Sequence, residues 1–89
     1  MNRKIEILYT PHFLRMYGKL DNELCSDIKD KINKFTNRES HISLKVHKLK
    51  NLNNTYSFSV NYKIRIVFEY GKTKNVVHLL YVGDHGTIY

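Results

Sequence analysis

The chain has 89 residues, a mass of 10.6 kDa and a formal net charge of +7, with 15 Lys and Arg against 8 Asp and Glu. Because typical domains have about 100–150 residues, this length fits one small domain over residues 1–89 and excludes a TIM barrel or a complete Rossmann unit. Cys25 is the one cysteine, so an internal disulfide and a Cys-rich zinc site are excluded, and we expect a reducing, cytoplasmic setting.

The N-terminal part of the chain predicts one strand and two helices. Residues 3–9 alternate between polar and apolar side chains, which is typical of a half-buried strand. Thr10, which precedes a proline, is an N-cap candidate for a short amphipathic helix over 11–20. Asp21 is the N-cap candidate of a second amphipathic helix, which ends near Thr36. We expect the two helices to form a hairpin.

The rest of the chain predicts strands, because the hydrophobic period changes from the helical value to two. Alternating side chains occur over 44–50, 56–60 and 64–70, with turn-forming residues between them. An apolar run from 76 to 82 predicts a central strand, which Gly83 and the residues after it are expected to end. The predicted order is β-α-α-β-β-β, an α+β fold in which a small, mostly antiparallel sheet carries the N-terminal helical hairpin on one face.

The positive charge is concentrated in one segment. No Asp or Glu occurs between Glu39 and Glu69. The Lys and Arg residues of this segment are Lys45, Lys48, Lys50, Lys63 and Arg65. Such a surplus attracts polyanions or an acidic partner over a long range, although a solvated Lys-rich surface is the alternative. The sequence shows no signal peptide and no run of ~20 apolar residues, so we expect a soluble protein without a membrane partner.

The histidines and the basic residues suggest RNA cleavage without a metal. The chain has 5 His, but they lack the spacing of a zinc site, so neither a metal nor another cofactor is expected. Cleavage of an RNA phosphodiester needs a base for the 2′-hydroxyl proton, cations that stabilise the phosphorane, and an acid for the leaving 5′-oxygen. Histidine suits the proton transfers, and Arg or Lys suits the charge stabilisation. Side chains with these properties are His47, Lys48, Lys50, Arg65, His85 and Tyr89.

Each of these residues also has a structural explanation. A strand histidine such as His47 is more often a surface residue than a catalytic one. His85 follows a strand, where functional residues concentrate. Arg65 lies on the strand parity opposite its apolar neighbours, so an ion pair with Glu69 on the same face is an alternative to phosphate binding. For Tyr89, at the end of the sequence, a frayed terminus is the alternative to a functional role.

Three passages of the sequence resemble the RelE/ParE superfamily of toxins from bacterial toxin–antitoxin modules. They are the opening strand and helical hairpin with Leu20 and Asp21, the segment 47–51 followed by 56–69, and the ending 83–89. The resemblance implies a small antiparallel sheet packed on two N-terminal helices, and a protein neutralised by an antitoxin encoded alongside. One branch of the superfamily, related to RelE, YafQ and HigB, cleaves mRNA in the ribosomal A site without a metal. The other branch, which is ParE-like, targets DNA gyrase.

The resemblance also implies roles for individual residues. Arg65 occupies the position of the family's strand arginine, His85 that of a histidine in the ending of YafQ-like members, and Tyr89 that of the terminal aromatic residue. His47 falls where YafQ-like toxins also carry a histidine, so it joins these residues in the expected catalytic set. The lysines expected to bind RNA phosphates are Lys48, Lys50, Lys45 and Lys63. The chain departs from many members at Ser59, where they carry an arginine.

Three functions are compatible with these features. The first is a type II toxin that cleaves mRNA on the ribosome, with the mRNA, the ribosome and a cognate antitoxin as partners and a toxin–antitoxin hetero-oligomer as its neutralised form. The second is a ParE-like inhibitor of DNA gyrase. The third, which Ser59 motivates, is an inactive relative that still binds RNA or its antitoxin.

Overall fold

The structure is a computed structural model that describes residues 5–37, 46–49, 54–73 and 75–84. Within these ranges the chain forms two helices and five strands. In chain order they are β1 (Glu6–Tyr9), α1 (Pro11–Tyr17), α2 (Asn22–Thr36), β2 (His47–Lys48), β3 (Thr55–Ser59), β4 (Ile64–Tyr70) and β5 (Val76–Asp84). The predicted α+β class with an N-terminal pair of helices is confirmed. The structure has five strands where the predicted order has four, because part of the alternating segment 44–50 forms the two-residue strand β2.

The five strands form one sheet in the order β1-β5-β4-β3-β2. The pairing is antiparallel except between β1 and β5, which run parallel. The predicted central position of β5 is confirmed, but its predicted end at Gly83 is wrong, because the strand continues to Asp84. Gly83 pairs with Arg65 and Asp84 with Ile64, so pairing with β4 keeps the glycine in the ladder despite its low strand propensity.

Both helices begin at the predicted residues. The Thr10 side chain accepts a hydrogen bond from Phe13 N, and the Asp21 side chain accepts one from Leu24 N at 2.8 Å. Helix α1 ends at Tyr17, before the predicted residue 20, because the chain tightens there and Leu20 N bonds to Tyr17 O at 3.1 Å. Helix α2 ends at Thr36 as predicted. Neither helix is long and apolar enough to cross a membrane, and no other helix occurs in the described residues.

The two helices are joined by contacts between Tyr17 and Cys25. The Tyr17 hydroxyl donates a hydrogen bond to Cys25 O at 3.3 Å, and the Cys25 thiol lies 3.7 Å from Tyr17 O. Burial at this junction, together with the neighbouring thiol, raises the pKa of Tyr17 above its ordinary value. Cys25 is thus a half-buried thiol of the helical hairpin.

The core lies between the helices and one face of the sheet. Phe35 of α2 packs against Phe58 and Phe68, with ring centroids 4.7 and 4.9 Å apart. Because strand side chains alternate, every second residue of β3 and β4 points away from this core. We call the side of the sheet opposite α1 and α2 the outer face. By pairing and alternation its residues are Glu6, Leu8, His47, Thr55, Ser57, Ser59, Arg65, Val67, Glu69, Val76, His78, Tyr81 and Gly83.

A bulge in β5 is held by Thr10. Val67 pairs with Tyr81 but Phe68 pairs with Leu79, so Leu80 is an extra residue on β5. The Thr10 hydroxyl donates to Leu79 O at 2.8 Å and lies 3.3 Å from Leu80 O, while the same oxygen caps α1. One side chain therefore connects the start of α1 to the irregular part of the central strand.

We expect Thr10→Val to lower the free energy of unfolding by about 1–2 kcal/mol, because the variant keeps the branched shape but loses the cap and the bond to the bulge. Urea denaturation of the full chain measures this change. Thr36→Val is the matched control, since the Thr36 hydroxyl only bonds back to Ile32 O within α2. Equal losses of stability in the two variants would show that Thr10 has no special role.

Candidate functional site

Arg65 lies near the middle of the outer face with its side chain almost fully buried. It belongs to β4, which β3 and β5 flank, and only 8% of the residue is exposed. Its Nε donates a hydrogen bond to Ser57 Oγ at 3.3 Å. Its partners across the ladder are Ser59, which has a small side chain, and Gly83, which has none. These neighbours leave space for a guanidinium that carries a permanent charge and a fixed fork of N–H donors.

His47 lies beside the same serine. It pairs with Ser57 across the β2–β3 ladder, so both side chains project from the outer face. Directly opposite residues have Cβ atoms about 4.5–5.5 Å apart. The His47 residue is exposed at the edge of the sheet, whereas Ser57 is fully buried. The structure therefore brings two of the predicted catalytic residues, Arg65 and His47, to opposite sides of one hydroxyl.

Ser57 is the site residue that the sequence interpretation missed. Its hydroxyl accepts a hydrogen bond from Arg65, and its backbone pairs with His47 on the other side of β3. The available signal was the alternation of Ser57 and Ser59 with Phe58, which predicts a polar outer face on a strand whose other face is core. That pattern alone does not show which serine contacts the arginine, because the contact depends on the pairing of β3 with β4.

The Ser59 hydroxyl is used in the adjoining turn. It donates a hydrogen bond to Asn61 O at 2.9 Å, and the Asn61 side chain accepts from Lys63 N and Ile64 N, both at 2.8 Å. These bonds confirm the tight connection predicted between β3 and β4. Ser59 lies directly opposite Arg65 and contributes no positive charge there.

The two described lysines of the predicted phosphate-binding set lie apart from each other. Lys48 follows His47 on the edge strand β2 and is exposed. Lys63 is exposed in the β3–β4 turn and lines a groove of about 290 Å³ together with Asp21, Glu23 and Asp27 of the α2 region. Lys63 therefore faces an acidic surface, and its binding of phosphate, like that of Lys48, stays a prediction.

The other predicted site residues lie outside the described ranges. They are Lys45, Lys50, His85 and Tyr89. The last described residue is Asp84, which pairs with Ile64, the neighbour of Arg65 in β4. Among the described residues no group of three His, Cys, Asp or Glu side chains could hold a metal ion.

Glu69 does not serve as the ion-pair partner that the sequence suggested for Arg65. Its carboxylate Oε1 lies 3.6 Å from His78 Nδ1, in the strand next to it. Along β4 the two residues are four positions apart, which separates their Cα atoms by about 13 Å. Arg65 Nε instead donates a hydrogen bond to Ser57 Oγ.

Solved structures of bacterial toxins share this fold. YafQ from E. coli, in its complex with DinJ, is 11% identical, with 97% of this chain and 98% of that chain covered and a TM-score of 0.76. A chain of the RelBE2 toxin–antitoxin complex from Mycobacterium tuberculosis is 17% identical, with 92% of this chain and 99% of that chain covered and a TM-score of 0.74. A chain of the YoeB dimer from Staphylococcus aureus is 22% identical, with 92% of this chain and 98% of that chain covered and a TM-score of 0.68.

These similarities concern the fold. No family model matches the sequence, and no curated protein matches it either. The chain has the fold of the RelE-like toxins, so the resemblance seen in the three sequence passages is confirmed at the level of structure.

We expect Ser57→Ala to lower the free energy of unfolding by about 1–3 kcal/mol, because the buried guanidinium of Arg65 loses an acceptor. Ser59→Ala is the matched control, since its hydroxyl is half-exposed and bonds only to the turn carbonyl of Asn61. Chemical denaturation of both variants measures the difference. If the two variants lose the same small amount, Ser57 does not hold Arg65.

Proposed function

We propose that this protein is the toxin of a type II toxin–antitoxin module, an endoribonuclease that cleaves mRNA on the ribosome without a metal and so inhibits translation. One observation carries the proposal. A buried arginine on the outer face, Arg65, is held by Ser57, which also pairs with an exposed histidine, His47, on a fold shared with toxins such as YafQ.

Arg65 supplies the charge that the reaction needs. A guanidinium stays protonated throughout the reaction, and its fork of donors can hold two phosphate oxygens at once. Because Arg65 is only 8% exposed and is held by Ser57, little reorganisation is needed when negative charge develops on the phosphorane. Its role is therefore to bind the scissile phosphate and to stabilise the transition state.

The proton transfers fall to histidines. His47 is exposed on the strand edge beside the Arg65–Ser57 pair, where an RNA backbone can approach it. His85, which follows Asp84 directly in the sequence, is proposed as its counterpart, so that one imidazole takes the 2′-hydroxyl proton and the other protonates the leaving 5′-oxygen. Tyr89 is proposed to stack on a base or to contact the leaving group.

Four lysines are proposed to attract the RNA backbone to the protein: Lys45, Lys48, Lys50 and Lys63. Of the two described ones, Lys48 pairs with Tyr56 and so projects from the face opposite to His47, and Lys63 lies beside an acidic groove. Such point charges attract the RNA backbone and raise the rate of encounter without selecting a sequence.

A cognate antitoxin is the proposed regulatory partner in the cytoplasm. Two of the similar structures are toxin–antitoxin complexes, those of YafQ with DinJ and of RelBE2. With a net charge of +7, this chain suits an acidic antitoxin segment that covers the basic surface in a hetero-oligomer. Association of this kind weakens as salt rises, because exposed charges are screened beyond about 8–10 Å at ordinary ionic strength.

We expect induced expression without an antitoxin to stop growth and to produce new mRNA 5′ ends at positions occupied by the ribosomal A site. Arg65→Ala should reduce cleavage about 100-fold or more, because a preorganised transition-state donor is lost. His47→Ala and His85→Ala should also reduce cleavage. Growth curves and mapping of mRNA ends in the same cells measure these effects.

Arg15→Ala is the matched control for Arg65→Ala, since it removes the same charge from an exposed position on α1 and should leave cleavage unchanged. Growth arrest with intact mRNA and defective DNA supercoiling would replace the proposal with gyrase inhibition. Normal growth at full expression would instead favour the inactive relative that Ser59 suggests.

A further inference from the structure

The first strand, β1, forms an open edge of the sheet. It is the outermost strand on its side and pairs with β5. Glu6 N donates a hydrogen bond to Asn75 O at 2.7 Å on the β5 side, so by alternation the backbone groups of Ile7 and Tyr9 point away from the sheet. Within the described part of the chain, this edge therefore offers the N–H and C=O groups of two residues to another strand.

The side chains at this edge are apolar, whereas natural sheets protect open edges with lysines, prolines or very short strands. The opposite edge follows that rule, because β2 consists of His47 and Lys48, which are both exposed. In contrast, Leu8 and Tyr9 of β1 are 42% and 47% exposed, and Leu14 of α1 is 51% exposed. These are three of the four exposed large apolar residues in the described part of the chain, so they mark an interaction surface.

A groove opens beside this edge on the helix side of the sheet. It has a volume of about 420 Å³, and Tyr9, Leu14 and Ile32 are among the side chains that line it. Thr36 also lines the groove, and its carbonyl accepts a hydrogen bond from Ile5 N at 2.9 Å. The edge is therefore closed beside Ile5 and open after it.

The charges at the edge indicate which kind of strand fits there. β1 carries the acid Glu6, and Lys29 is the one charged side chain among the described residues that line the groove. A surface with one charge of each sign gives an acidic segment no strong attraction. It suits an extended strand with apolar side chains on both faces and little net charge. β1 itself, with the sequence Glu-Ile-Leu-Tyr, is such a strand.

We propose that β1 is the interface with a second copy of this chain, in which the two β1 strands pair antiparallel around a two-fold axis at Leu8. In this register Ile7 of each copy lies opposite Tyr9 of the other, and these two pairs form four backbone hydrogen bonds. The two Leu8 side chains meet on the outer face as a close pair that is not hydrogen-bonded. The interface is isologous, because the same residues contribute from both copies.

The ends of the two strands fit this register. Pro11 of the second copy comes opposite Ile5, where Thr36 O already occupies the edge. Proline has no N–H to satisfy, and the chain leaves the strand there to begin α1, so the pairing loses no hydrogen bond. On the helix side, Tyr9 of the second copy lies beside Ile7 and is directed towards the groove. The groove therefore receives an aromatic side chain from each partner.

The pairing joins the two sheets into one sheet of ten strands. The two-fold axis between identical antiparallel edges is perpendicular to the sheet, so both outer faces lie on the same side. The β4 strands of the two copies are five strand spacings apart, which is about 24 Å. The dimer presents both Arg65 residues on this side and carries twice the net charge of +7, which strengthens its attraction for a polyanion.

The test is sedimentation equilibrium of the purified full chain at micromolar concentrations. The wild type should have twice the mass of 10.6 kDa. Leu8→Lys should raise the dissociation constant of the dimer about 10- to 100-fold, because it places two like charges directly opposite each other at the axis. Leu8→Glu should have the same effect. An equal mixture of the two variants should form a heterodimer, because the opposed charges then attract.

Tyr62→Lys is the matched control, since it adds the same charge at a residue that is 97% exposed in the β3–β4 turn and should keep the wild-type dissociation constant. Leu8→Thr keeps a residue of high strand propensity and tests the contact without a charge, so it should weaken the dimer by less. Circular dichroism should show that the variants are folded, because Leu8 is half-exposed. Added salt should tighten the dimer, because it screens the repulsion between two copies of charge +7.

Three results would overturn the interface: a monomeric wild type, charged Leu8 variants that dimerise as tightly as the wild type, or a mixture of folded Leu8→Lys and Leu8→Glu that stays monomeric. If the wild type is monomeric and Leu8→Lys weakens binding of the cognate antitoxin, the edge belongs to that partner instead. These measurements use no RNA, so each of these results leaves the proposed function standing.

Discussion

Phe35 of α2 packs against Phe58 and Phe68, and this buried contact constrains the register of β3 against β4. The two strand phenylalanines belong to one face, so the residues between and beside them must point to the other. A slip of one residue would carry Arg65 and Ser57 into the apolar core and expose the aromatic rings. The position of the charged site is thus a consequence of the packing on the opposite side of the sheet.

The same constraint explains how the chain holds a guanidinium that is nearly removed from solvent. Burial of a charge is costly unless hydrogen bonds satisfy it, and Ser57 supplies such a bond from the adjacent strand. Gly83, opposite Arg65 on β5, adds no side chain that would compete for the space. A charge in this environment acts more strongly on a bound anion than a solvated lysine does, because the local dielectric constant is lower.

Much of the fold follows from local sequence patterns, whereas the details of the site depend on pairing between distant segments. The alternation in β4 predicted that Arg65 leaves the apolar face, and the caps at Thr10 and Asp21 predicted both helix starts. The extension of β5 to Asp84 was not predicted. Glycine has a low strand propensity, and Gly83 stays in the strand because it pairs with Arg65 of β4.

The contacts of Ser57 and Glu69 were not predictable for the same reason. The sequence placed Glu69 on the same strand face as Arg65, but the partner of Glu69, His78, comes from β5 and becomes apparent only when the register is known. Likewise, the acidic surroundings of Lys63 arise because the β3–β4 turn lies near the start of α2, a long-range contact without a local signal.

In the proposed reaction, the outer face of this sheet cleaves RNA through attack by a 2′-hydroxyl. Its most direct test is a ribosome-bound mRNA that carries a single 2′-deoxynucleotide on the 5′ side of a mapped cleavage site, compared with the unmodified mRNA. We expect cleavage of the unmodified strand with a 5′-hydroxyl on the downstream product, and no cleavage at the deoxy position. Cleavage that continues at the deoxy position would contradict the proposed chemistry.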